Sequence, residues 1–235
     1  MILSVSTVII SHKYRFIFIK TRKTAGTSIE VLLSSLCDDR DVCTPIYPPE
    51  LGHVARNYKG RWPLSAELSR QRTGYNVKSA TDWIKGRRFR NHSGAQDVKH
   101  RVGADIWRSY TTFCVDRNPW DKTLSHFHMC LRGSNPPGSF TDYLANTALC
   151  LNYPLYSDEQ GQVMVDRVLR YENLNAELFE LLSELGVPCA GARLVNAKGN
   201  YRKDRRHYRE IYSQQQRQHI ERAFAPEIAL LGYQF

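Results

Sequence analysis

Hydrophobic positions along the chain fall into short, strand-like runs, each followed by a helical pattern. "RFIFIK" (15–20), "TTFCVD" (111–116) and "DRVLRYE" (166–172) are rich in branched and aromatic residues. After the first run comes "SIEVLLSSL", where Ile29, Leu32, Leu33 and Leu36 share one helical face. After the second come Asn118, a good N-cap, and Pro119, suited to a first helical position; Trp120, Leu124, Phe127 and Leu131 then form an apolar stripe. The third leads into "NLNAELFELLSELGV", with Leu174, Leu178, Leu181, Leu182 and Leu185 inward and Gly186 as its stop. This alternation predicts an α/β domain around a central, mainly parallel sheet. Ahead of it, "MILSVSTVIISHKYRFIFIK" alternates and breaks at "HKY", which predicts two strands and no cleaved leader.

Residues 45–90 lose the order. "PIYPPELGHVARNYKGRWPLS" is turn-rich and "KGRRFRN" basic, which predicts an irregular surface insertion with short helices. Tyr58, Trp62, Tyr75 and Trp83 are read as packing that insertion onto the core in preference to stacking on sugar rings. "SGAQDVKHRVG" restores a helix, with Ser93 and Gln96 spaced as a capping box and Gly103 as terminator. With 235 residues and 42% of them hydrophobic, the chain can bury one core, so a single domain over 1–235 is expected.

Charge narrows the partners. Lys and Arg number 33 against 23 Asp and Glu, a formal +10, which favours a nucleotide, an acidic glycan, nucleic acid or a membrane surface. Cys37, Cys43, Cys114, Cys130, Cys150 and Cys189 have no zinc spacing, and reduced thiols are expected. No apolar run approaches the roughly 20 residues of a membrane span, so the expectation is a cytoplasmic protein, free or peripheral to a membrane.

The stretch "FIKTRKTAGTS" (18–28) runs from a strand into a helix N-terminus and carries Lys20, Arg22, Lys23, Gly26, Thr27 and Ser28. A glycine-containing turn of this kind offers backbone N–H groups and the positive end of a helix dipole to a phosphate or sulfate. The nucleoside triphosphatase pattern GxxxxGK[ST] does not fit, because Lys23 precedes Gly26 and no earlier glycine exists. Asp116 alone is weak support for a magnesium-binding acid. A P-loop kinase or hydrolase is therefore the lesser alternative, beside a basic nucleic-acid-binding protein.

The order Lys23-Thr24-Ala25-Gly26-Thr27-Ser28 resembles the 5′-phosphosulfate loop of sulfotransferases. "CVDRNPWDKTLSHF" (114–127) resembles the family's 3′-phosphate motif, with Arg117 and Ser125 in the recognition places. "RVLRYENL" and "HYREIYSQQQRQHIERAFAPEIALLGYQF" are similar to the family's strand ending and closing pattern. "NAKGNYRKDRRHY" resembles the basic loop over the nucleotide, which makes Lys198, Arg202 and Lys203 candidates for phosphate contacts. The resemblance implies a P-loop-like, three-layer α/β/α fold and 3′-phosphoadenylyl sulfate (PAPS) as donor. It also implies transfer of a sulfuryl group, without a metal, to a hydroxyl on a carbohydrate or glycolipid acceptor; no nucleic-acid partner is expected.

In that scheme Lys23 stabilises the leaving phosphate, assisted by Lys20, the loop N–H groups and the hydroxyls of Thr27 and Ser28. Arg22 stands where the family commonly has proline. For the general base, His92 precedes Arg117 by a distance similar to that in glycan 2-O-sulfotransferases, while His53 competes from its turn-rich segment. Glu30 or Asp97 could serve instead if burial raised its pKa.

Overall fold

The computed structural model describes residues 8–68, 73–89, 93–189, 194, 204 and 206–235. Its strands are β1 (Val8–Ser11), β2 (Phe16–Ile19), β3 (Val42–Cys43), β4 (Thr111–Asp116) and β5 (Arg167–Arg170), in the spatial order β3-β1-β2-β4-β5. Period-two alternation sends Ile9, Phe16, Phe18, Phe113 and Val115 to one face and Val8, Ile10, Ile17, Ile19 and Cys114 to the other. Every residue of β1 and β2 is buried.

β2, β4 and β5 pair in parallel, whereas β1 is antiparallel to both β2 and β3. The expected parallel arrangement thus holds on one side of β2, and the sheet as a whole is mixed. The cause is the short turn at 12–15, which can close a hairpin but cannot make the long crossover of a parallel pair.

Helices cover both faces. α1 (Gly26–Leu36) and, late in the chain, the helix Leu174–Glu184 bury Ile29, Leu33, Leu174, Leu178, Leu181 and Leu182 on the first. The second is covered by Ala95–Val102, Ala104–Ser109 and Tyr153–Tyr156. A third apolar cluster joins Trp120 and Leu124 of Pro119–Cys130 to Tyr208, Ile220 and Phe224, and Phe235 meets the Trp120 ring edge-on at 5.4 Å. In chain order the helices are α1, α2 (Ser65–Leu68), α3 (Thr73–Ile84), α4 (Ala95–Val102), α5 (Ala104–Ser109), α6 (Pro119–Cys130) and α7 (Phe140–Asn146). They continue as α8 (Tyr153–Tyr156), α9 (Leu174–Glu184), α10 (Gln214–Ala223) and α11 (Ala225–Leu231). Among the described residues no helix is long and apolar enough to cross a membrane.

Asn118 caps α6 as expected, its side chain accepting from the N–H groups of Trp120 and Asp121. Two local expectations fail. Ser93 and Gln96 form no capping box: α4 starts from Gly94 without a side-chain cap. Gly94 lies against the backbone of α8, where an added Cβ would stand 3.1 Å from the Leu155 carbonyl oxygen, so close packing fixes this entry. Leu131 leaves the apolar stripe and is 40% exposed, because α6 ends one residue earlier.

The 45–90 insertion is more than a surface loop, since it encloses a polar centre. Arg101 of α4, 1% exposed, pairs with Glu67 at 2.9 Å and Asp82 at 3.3 Å and lies 4.4 Å over the Trp62 ring. Trp62 and Ser79 also donate to Glu67, and the Trp83 indole donates to the Trp62 carbonyl. Trp62 and Trp83 thus pack the insertion, as expected. Arg101→Ala would leave two enclosed carboxylates without their cation, and such a loss costs about 3–5 kcal/mol. The urea midpoint is expected to fall accordingly, and an unchanged midpoint would refute the structural weight given to this cluster.

Candidate functional site

Because β2, β4 and β5 are parallel neighbours, the segments leaving their carboxyl ends emerge side by side. These are 20–28 after β2, 116–120 after β4 and the 3₁₀ turn Tyr171–Asn173 after β5.

The 20–28 turn is built by strain and restraint. Lys23 and Ala25 both take left-handed backbone conformations, φ 63° and 56°, with Thr24 between them. Alternation of this kind turns successive N–H groups into one concavity suited to an anion. For residues other than glycine each such conformation costs on the order of 1–3 kcal/mol, so neighbours must hold it. The Thr21 hydroxyl donates to the Val115 carbonyl and lies 2.9 Å from the Thr24 hydroxyl. The Asn152 side chain accepts from the Arg22 N–H at 2.9 Å and donates to the Arg22 carbonyl at 3.0 Å.

Gly26 serves a different need. A Cβ there would stand 2.6 Å from Lys20 Cγ and Cε, so the absence of a side chain lets Lys20 pass beneath the turn to its buried partner Glu30. Helix α1 then opens on Ala25, which supplies no side-chain cap, and has no acidic residue in its first turn. Thr27 is half-buried and Ser28 buried beside those N–H groups.

Arg117 joins the second segment to the first. Its Nη1 donates to the Lys23 carbonyl at 3.1 Å, its Nε and Nη2 donate to Asp121, and its guanidinium lies 4.1 Å over the Tyr171 ring. Among the described residues three of the five N–H donors are so engaged, one on each terminal nitrogen being left over. Ser125 is half-buried further along α6. Next to it, His126 places Nδ1 2.7 Å from the Tyr143 hydroxyl of α7. Burial, and then the charges of Lys23 and Arg22, push His126 down to about 4. Burial pushes the thiols of Cys130 and Cys150 up, Cys150 to about 11, against the opposing charge of Lys23 at Cys130 and of Lys122, Arg22 and Lys23 at Cys150. A cleft of about 470 Å³ opens between α1 and the turn after β5, lined by Ala25, Ser28, Tyr171, Glu172, Asn173 and Asn175 among others.

Lys23, Arg22, Arg117 and the α1 N-terminus are therefore brought together. Lys20 is committed to Glu30. His53 lies near Lys20, with Nε2 2.9 Å from the Thr44 carbonyl and Nδ1 enclosed; burial lowers its pKa. Asp97 is buried on α4, near Arg101. His92, Lys198, Arg202 and Lys203 lie outside the described residues. Sequence reasoning passed over Asn152, Tyr171 and His126. His126 was visible as a polar residue inside the quoted α6 motif, whereas Asn152 carries no local signal.

An uncharacterized protein of Archaeoglobus fulgidus is 32% identical over 113 residues, covering 45% of this chain and 94% of that protein. The two belong to one family. No family model and no solved structure matches the chain.

His126 gives this region a pH signature. Its folded value, about 4, lies below the ordinary 6.5, so the unfolded chain takes up the proton first and stability falls as pH drops from about 6.5 towards 4. His126→Asn removes that contribution, and the variant is expected to lose less stability than the parent between pH 7 and pH 5 in urea unfolding. Identical losses would show that the imidazole is not held neutral.

Proposed function

We propose that the chain is a PAPS-dependent sulfotransferase with the P-loop-like α/β/α fold, transferring a sulfuryl group to a hydroxyl of a carbohydrate or glycolipid acceptor. The observation that carries the reading is the hydrogen bond from Arg117 to the Lys23 carbonyl. PAPS bears its phosphosulfate and its 3′-phosphate on one ribose, so a protein that holds both must set two anion sites side by side.

The strained turn and the uncapped start of α1 present N–H groups and a positive dipole end to the 5′ group. Lys23 meets the charge that grows on the leaving phosphate as its bond to sulfur breaks. The two N–H donors that Arg117 retains, with the Ser125 hydroxyl, suit the 3′-phosphate. The adjoining cleft has the volume of a small-ligand site and can take the nucleoside. Arg22 adds charge on the Lys23 side, which favours an acidic acceptor, and Lys198, Arg202 and Lys203 remain candidates for phosphate contacts.

The first test is calorimetric binding of adenosine 3′,5′-bisphosphate beside AMP and beside ATP with magnesium. Selective binding of the bisphosphate is expected; preference for ATP with magnesium would move the chain to the kinases. Arg117→Ala should weaken the bisphosphate about 10- to 100-fold and AMP little. Equal weakening of both would make Arg117 structural. Lys23→Ala should lower turnover about 10²- to 10³-fold while the bisphosphate still binds, and full turnover in that variant would remove Lys23 from the mechanism.

A further inference from the structure

His126 lies on α6 against Tyr143 of α7, within electrostatic reach of Lys23 and Arg22 in the turn after β2. Its Nδ1 is fixed 2.7 Å from the Tyr143 hydroxyl, and the two rings meet edge to face with centroids 5.7 Å apart. Tyr143 is fully buried, so this partner cannot swing away. Nε2 has no hydrogen-bond partner among the described residues and, unlike His53 Nδ1, is not enclosed. The imidazole therefore has one anchored nitrogen and one open one, the arrangement that proton transfer needs.

The charged groups acting on it come from one direction. Lys23 and Arg22 bear on His126 from the turn, and no carboxylate among the described residues acts on it. Tyr143 faces it from α7, and Cys130 of α6 and Cys150, before α8, share the field of Lys23. Burial keeps both thiols protonated at neutral pH, and it does the same for the Tyr143 hydroxyl, so none of the three contributes a charge. In the free protein the imidazole is neutral but a poor base, because burial disfavours its charged form and the charges of Lys23 and Arg22 then oppose a proton on it. An anion against Lys23 and Arg22 offsets that repulsion and makes the imidazole more basic.

We propose that His126 is the catalytic base of the transfer, taking the acceptor's proton at Nε2 once the donor's anion is seated against Lys23 and Arg22. The inference rests on the sulfotransferase reading. As the acceptor O–H bond breaks, its proton passes to Nε2 and its electron pair forms the new O–S bond. The bond from sulfur to the 5′-phosphate oxygen breaks, and that oxygen leaves with the pair. In this role Nδ1 carries the hydrogen and donates it to the Tyr143 oxygen, which leaves the Nε2 lone pair for the acceptor's proton, and Tyr143 is then a positioning residue. His53 does not offer this chemistry in the same way, with Nε2 on the Thr44 carbonyl and Nδ1 enclosed. The consequence is ordered activation: the acceptor is deprotonated effectively only where a donor is already bound.

The test follows the His126 imidazole by NMR titration, free and saturated with adenosine 3′,5′-bisphosphate, with His126→Asn supplying the assignment. Its titration point is expected to rise by about one unit or more in the complex. A bisphosphate that binds while the titration point stays put overturns the inference and leaves the donor reading standing. Failure of the bisphosphate to bind overturns the donor reading and this inference with it. Hydrolysis of PAPS, with water as acceptor, reads the proton step itself: His126→Asn should slow it about 10²-fold with bisphosphate affinity unchanged. Equal hydrolysis rates in parent and variant would overturn the role as base.

Discussion

A fully buried carboxylate at the end of β4 holds the candidate site in shape. Asp116 accepts from the Arg117 N–H at 2.8 Å, the Lys122 ammonium at 2.8 Å, the Asn152 amide at 3.0 Å and the Tyr156 hydroxyl at 2.8 Å. Burying a carboxylate without partners costs several kcal/mol, so the folded chain must bring all four donors to one point. Each donor fixes an element as it arrives. Lys122 sets the rotation of α6, and Tyr156 ties α8 into the second core face. Asn152, with its remaining capacity, clamps the backbone of Arg22. Burial, and then Asp116, push the Tyr156 hydroxyl well up, so it keeps the proton with which it donates. The strained turn after β2 is tied to this carboxylate through Asn152, whose amide donates to Asp116 and whose side chain also bonds the Arg22 backbone.

The same constraint separates cations that read alike in the sequence. Lys20, Arg22 and Lys23 stand within four positions, yet the fold gives them different surroundings. Lys20 passes under Gly26 and neutralises Glu30 inside the protein. Arg22 and Lys23 instead project their charge towards His126 and Cys150. Glycine at 26 is therefore required for the passage of a neighbouring side chain, while the two left-handed positions fall to Lys23 and Ala25.

Much of the fold was legible because the signals were local. Period-two runs gave β2, β4 and β5, period-3.6 stripes gave α1, α6 and α9, and Asn118-Pro119 marked the start of α6. The orientation of β1, the two-residue β3 and the Gly94 entry to α4 depend on distant packing partners, and no local pattern encodes them. The site divides in the same way. Lys23 and Arg117 stood out because each lies where a strand gives way to a helix, a junction that hydropathy marks. Asn152 and Tyr171 reach the site only through the topology of the sheet. His126 lay in plain view beside Ser125, but burial and the neighbouring charges, which give it chemical character, are not sequence properties.

The distribution of charge supplies the last step. The most deeply buried cations have carboxylate partners: Lys122 has Asp116, Arg101 has Glu67 and Asp82, and Lys20 has Glu30. Among the described residues Arg22 departs from this pattern. Arg22 Nε is enclosed without a hydrogen-bond partner among the described residues, and burial, and then the charges of Lys23 and Arg22, hold the His126 imidazole from its proton. An enclosed donor left unpaired costs about 1–3 kcal/mol, and a suppressed base adds to the imbalance. In the proposed function an anion at the turn after β2 would offset the charge at both places. The formal charge of +10 thus matters less as a total than through where the fold places each cation: the deepest with a carboxylate, and Arg22 and Lys23 within reach of the His126 imidazole.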